Sequence, residues 1–194
     1  MSSIKACNDL GSYFRALITA AMERQRTSAA PETADYVAGL MVTYAGRRAA
    51  EFLDRPIVVM LDEALAGSTG TKLQRLQTVG DGALYLAGLF GDHVERAQGD
   101  VSFYVHAGSF AYKHAAAILE EEVGSPPVAL VELGENFPKF VDVLAEVAES
   151  SALGAVTKSV VQLYDRWKHG ASERAFEEMV RRGVFPARVG DETC

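Results

Sequence analysis

Apolar residues recur at three- and four-residue steps along almost the whole chain, the period of helices that bury one face. Leu10, Phe14, Leu17, Ile18 and Ala21 predict a first helix running to about Arg24, with Asn8 or Asp9 as its cap and residues 1–7 as a loose start. After a loop over 25–31, Val37, Leu40, Met41, Tyr44 and Arg48 predict a second helix begun at Thr33 or Asp35, with Arg47 and Arg48 suiting its negative pole. The run Ile57-Val58-Val59-Met60-Leu61 fits a buried strand as well as a helix. Asp54 as a cap, Pro56 in the first turn and Gly67 as a stop favour a helix from Pro56 to Leu65.

The chain is organised around its most apolar and aromatic-rich stretch, Leu73 to Ala116. Leu73, Leu76, Gly80, Ala83, Leu84 and Ala87 share one face of a helix from about Thr71 to Leu89, which Gly91-Asp92-His93 should end. Gly80, Gly82 and Gly88 each cost such a helix roughly 1 kcal/mol against Ala. The small residues Ala83, Ala87 and Gly91 give a reason to keep them: a second helix can approach closely. That second helix is predicted from Val101 to Glu121, capped by Asp100, with Phe103, His106, Ala107, Phe110 and His114 along one face and Tyr104, Gly108, Tyr112 and Ala115 beside them.

Beyond the break Gly124-Ser125-Pro126-Pro127, Val128–Leu133 reads as a short helix. Phe137, Phe140, Val141, Leu144 and Val147 mark a longer one with Pro138 in its first turn, and Asp142, Glu146 and Glu149 form a solvated acidic face. A turn at 150–155 precedes a helix from Thr157 to Lys168, with Val160, Leu163, Tyr164 and Trp167 inward. A last helix, Ser172 to Arg182, carries the pairs Glu177–Arg181 and Glu178–Arg182, and a flexible tail of 187–194 follows. The reading is all-α: one domain built as a bundle of about seven to nine helices.

Candidate chemistry is sparse. Asp81 lies among apolar residues, where a carboxylate needs a partner. A hydrogen bond to a backbone helix end or a pair with an Arg would make it structural; the sharper reading is a catalytic acid or base. The spacing Tyr104-x3-Gly108-x3-Tyr112 leaves a gap between two rings, so that Asp81, Tyr85, Tyr104, His106, Gly108, Tyr112 and His114 are candidate lining residues for a small apolar ligand such as a lipid or a haem-like group. His106 and His114 are two turns apart, roughly 12 Å at 1.5 Å per residue, too far to chelate one metal. They read as half-buried histidines with one hydrogen-bond partner each, and no metal or particular cofactor is assigned. No Glu-x-x-His of a di-iron bundle, His-Glu-x-x-His, Cys-x-x-Cys, Gly-x-Ser-x-Gly or dinucleotide-binding glycine motif occurs. Gly67-Ser68-Thr69-Gly70-Thr71-Lys72 departs from a phosphate-binding loop, because Thr precedes the lysine and Leu follows it.

The string Val79-Gly80-Asp81-Gly82-Ala83-Leu84-Tyr85-Leu86-Ala87-Gly88-Leu89-Phe90, followed by Tyr104, Gly108 and Tyr112 and later by Leu163-Tyr164-Asp165-Arg166-Trp167, resembles a family of uncharacterised bacterial all-helical proteins. The resemblance covers most of the chain from about Tyr36. It implies a helical fold and brings no activity.

Composition narrows the function classes. A net charge of −7 argues against a nucleic-acid partner, which wants a basic face. Between Leu61 and Gly134 ten acids face four bases, which reads as solvated surface and disfavours an anionic membrane. Two cysteines near opposite ends make no disulfide framework, and with no apolar run of spanning length the expected setting is cytoplasmic. Three expectations follow, in order: a non-enzymatic interaction or regulatory protein bound to itself as a homodimer or to another protein; a small apolar ligand or cofactor binder; and an enzyme using Asp81 with a His or Tyr.

Overall fold

A computed structural model describes residues 2–44, 55–97, 100–150, 163, 164, 167 and 173–181; of residues 2–9, 92, 93, 96, 97 and 173 it describes the backbone alone. Among the described residues the architecture is all-α, a multi-helix bundle without strands. Its helices are α1 (Ser2–Gln25), α2 (Pro31–Thr43), α3 (Ile57–Leu65), α4 (Thr69–Ala97), α5 (Val101–Val123), α6 (Val128–Glu135), α7 (Phe137–Ser150) and α8 (Glu173–Arg181). No described helix is long and apolar enough to cross a membrane.

The most extensive contact is between α4 and α5, the two central helices. Helix α7 lies across α4 and also meets α1; α6 bridges α5 and α2; α3 packs on α4. Phe14, Ile18, Val37, Met41, Leu76, Leu84, Tyr112, Phe137, Phe140 and Leu144 fall in one buried cluster. Small residues set the close approaches between helices, Ala83 of the expected row lying opposite Gly108 of α5. A Cβ on Gly80 would stand 2.7 Å from the Tyr112 ring, one on Gly88 would stand 2.5 Å from Leu144 Cβ, and one on Gly91 would meet nothing.

Helix ends follow local chemistry. Asp100 caps α5 by accepting from the Ser102 amide at 2.8 Å, and Gly124 closes it in the left-handed region at φ 78°. The ambiguous run after Pro56 is helical, with Pro56 as the N-cap residue. Three boundaries differ from the pattern. Helix α1 already begins at Ser2, since no Gly or Pro interrupts it before Gly11, and Leu10 on it is 39 % exposed rather than buried. Helix α4 does not stop at Gly91: it kinks at Phe90 (φ −126°, ψ 20°) and runs on to Ala97, while the Phe90 ring stays buried 5.4 Å from that of Tyr85. Helix α2 begins at Pro31, and its N-terminus is capped from another helix. Glu132 of α6 accepts from the Ala30 amide at 2.9 Å and from Thr33 Oγ1 at 2.5 Å.

The acidic face of α7 is also more than solvated surface. Glu146 takes hydrogen bonds from Arg24 and from Gln25 Nε2 (2.7 Å) of α1, and those donors hold its carboxyl below the ordinary carboxylate range. In α8, Arg181 pairs with Glu178 at 2.7 Å. Asp54, the Arg47-Arg48 pair, the turn at 150–155, most of the helix expected over 157–168, Arg182, the tail of 187–194 and Cys194 lie outside the described residues. Tyr164 and Trp167 from that expected helix are described, and the Tyr164 side chain is buried in the core cluster.

Candidate functional site

The bundle gathers one set of polar side chains at its centre. Asp81 of α4 accepts hydrogen bonds at Oδ1 from the Tyr112 hydroxyl of α5 (2.7 Å) and the Tyr36 hydroxyl of α2 (2.8 Å). Each participant is placed by its helix. Tyr112 is fully buried, its ring lying over the bare backbone of Gly80, one residue before Asp81. The Tyr36 ring meets it edge-on with centroids 6.2 Å apart. The cluster therefore joins three helices that contribute to the core.

Burial raises the pKa of the Tyr36 and Tyr112 phenols, and the negative charge of Asp81 raises both further. Both stay neutral donors across the physiological range, and neither is prepared to act as a base. Burial pushes the Tyr85 and Tyr104 phenols up as well. Tyr85 lies on α4, with the Tyr44 ring 5.4 Å away.

The seven candidate residues divide between the two sides of the central helices. Asp81, Tyr85, Tyr104, Gly108 and Tyr112 lie on the inner side, with Asp81 itself half-buried. His106 and His114 are on the outer side of α5 and are exposed rather than half-buried. Each imidazole Nδ1 faces its own helix, at 2.6 Å from the Ser102 carbonyl and 2.9 Å from the Phe110 carbonyl, which favours a proton on that nitrogen. The two histidines do not meet Asp81. The His93 side chain lies outside the described residues.

The gap expected between Tyr104 and Tyr112 is filled. Phe137, the first residue of α7, inserts over Gly108, where a Cβ would stand 2.1 Å from Phe137 Cζ and 2.9 Å from Ala83 Cβ. Phe137 is fully buried, and its ring centroid lies 5.9 Å from that of Tyr112. Gly108 serves helix packing at this point. No group of three or more His, Cys, Asp or Glu that could hold a metal occurs among the described residues.

Tyr36 escaped the sequence reading of this centre, and Phe137, read as part of the apolar stripe of α7, was not placed over Gly108. Tyr36 flanks the apolar stripe of α2 at Val37, Leu40 and Met41, so its ring was bound to lie near the core edge. Which carboxylate its hydroxyl would meet depends on how α2 packs against α4, and no local pattern carries that.

The arrangement predicts the behaviour of variants. Asp81→Ala leaves one fully buried phenol and one half-buried phenol without their acceptor, and is expected to cost about 3 kcal/mol in chemical denaturation. Tyr112→Phe should cost about 1 kcal/mol, and the double variant less than the two added together. Full additivity would mean that Asp81 and Tyr112 do not interact in solution.

No model of a known protein family matches the chain, and neither does any curated protein or solved structure.

Proposed function

We propose that the chain is a non-enzymatic helical protein that acts as an interaction or regulatory module by binding another protein. The observation that supports this most is the use made of Asp81. The carboxylate best placed for acid or base work accepts from two phenols, both held neutral by burial, and so ties α2, α4 and α5 together. His106 and His114, which could have completed a catalytic set, face the opposite way. A cytoplasmic setting goes with this reading, because two cysteines so far apart in sequence give no disulfide framework.

Native mass spectrometry of the freshly purified full chain, against its denatured mass, tests the proposal. The expected result is protein with no small molecule attached. A stoichiometric mass released on denaturation would overturn it in favour of a ligand or cofactor carrier.

A further inference from the structure

The outer face of α5 carries an apolar stripe. Phe103 and Phe110 are 43 % and 36 % exposed, and His106, His114 and Ala117 share their side of the helix at three- and four-residue steps. The Phe110 and His114 rings stack with centroids 3.7 Å apart, so the centre of the stripe is a flat aromatic surface. Both imidazoles turn Nδ1 back toward their own helix backbone. Between Val101 and Leu119 the only Asp, Glu, Lys or Arg is Lys113, whose stem runs along the backbone of Gly134 on α6.

Charge is concentrated at the two ends. Asp100 stands before the first turn of α5, and the exposed acids Glu120, Glu121 and Glu122 occupy its last turn. From Asp100 to Glu121 the helix rises about 31 Å at 1.5 Å per residue. We infer that this face docks an amphipathic helix of another protein, one with apolar anchors at three- and four-residue steps over its middle turns and Lys or Arg about 20 residues apart at its ends. The inference rests on the interaction-module reading.

Charge complementarity decides against a second copy of this chain. Antiparallel pairing centred on Phe110 would align Phe110 with Phe110 and His106 with His114, but it would also bring Glu120 against Asp100. Parallel pairing would set the three C-terminal glutamates of one copy beside those of the other. A partner with basic ends meets opposite charge in both places, and such pairs set orientation and discriminate among partners.

The test uses the full chain and two synthetic peptides of 21 residues with the same helical core, leucines at three- and four-residue steps; one ends in lysine pairs and the other in glutamate pairs. Binding is measured by fluorescence anisotropy at low and high salt, alongside light scattering. The lysine-ended peptide is expected to bind at least tenfold tighter, with the margin shrinking in salt. Phe110→Asp should weaken it at least tenfold at an unchanged thermal melt, and joint replacement of Glu120, Glu121 and Glu122 by Lys should reverse the preference. Equal binding to wild type and Phe110→Asp would overturn this site while leaving a binding function in place. No binding of either peptide, or a stable dimer dissociated by Phe110→Asp, would overturn the basic-ended partner. A small ligand in native mass spectrometry would instead remove the reading beneath it.

Discussion

Gly108→Ala is expected to lower stability by about 2 kcal/mol, although the same change at Gly39 should raise it by about 1 kcal/mol. Both glycines are helical, and in both cases alanine removes the backbone freedom that glycine has in the unfolded chain. The environments decide the sign. A Cβ on Gly39 meets nothing within 4 Å, so the propensity gain is all that remains. A Cβ on Gly108 overlaps the ring of Phe137, with Cζ at 2.1 Å and Cε2 at 2.4 Å. The ring has nowhere to go, since Phe137 is fully buried between α5, Ala83 of α4 and the Tyr112 ring. Helix α7 must move off the central pair, and the overpacking exceeds the propensity gain. Gly108→Leu, with three more carbons in the same place, should cost about 4 kcal/mol or more. For a chain of this size the two alanine variants should move the melting temperature by roughly 4–8 °C downward at Gly108 and 2–4 °C upward at Gly39. Equal upward shifts would mean that Phe137 does not occupy that gap.

That contrast also marks how far a sequence reaches. The all-α architecture was legible because helical periodicity is local: each stripe, from Val37-Leu40-Met41 to Phe140-Leu144-Val147, declares its own buried face. The cap at Asp100 was legible for the same reason, since its partner Ser102 lies two residues on, whereas Gly124 was read only as part of the break after α5. Close packing of the central helices could be anticipated from their glycines, but the residue filling each vacancy could not. Phe137 stands 29 positions from Gly108, and only the packing of α7 brings it there. Asp81 was recognisable as a residue that needed partners, whereas Tyr36 and Tyr112 as the partners required the tertiary arrangement. Cross-helix capping shows the same limit, because nothing near Glu132 points to the start of α2. The kink at Phe90 looked like a helix end because glycine and a polar pair follow it, and these permit a break without requiring one.

Alkaline unfolding should expose the tyrosine-rich core more sharply than any single substitution. A phenol in the unfolded chain ionises near pH 10. Burial pushes the folded-state values of Tyr85 and Tyr112 upward, and the charge of Asp81 adds to the effect at Tyr112. Below about pH 10 both states hold these protons and the tyrosines contribute no pH dependence. Above it the unfolded chain releases protons that the folded chain keeps, so stability falls by about 1.4 kcal/mol per pH unit for each buried phenol. Tyr85 and Tyr112 therefore both make stability fall as the pH rises above about 10. Tyr36 and Tyr104, also shifted upward, act in the same direction. The phenolate absorbance of the buried tyrosines should then appear together with the loss of helical circular dichroism, in one cooperative step. Tyr85→Phe should flatten the pH slope by its single-phenol share and move the alkaline midpoint upward. Tyr112→Phe should flatten it equally, but from a lower stability at neutral pH, because Asp81 has lost a donor. Gradual ionisation of all seven tyrosines around pH 10 with the helices intact would contradict this, since it would require water to reach rings that the packing of α2, α4 and α5 excludes.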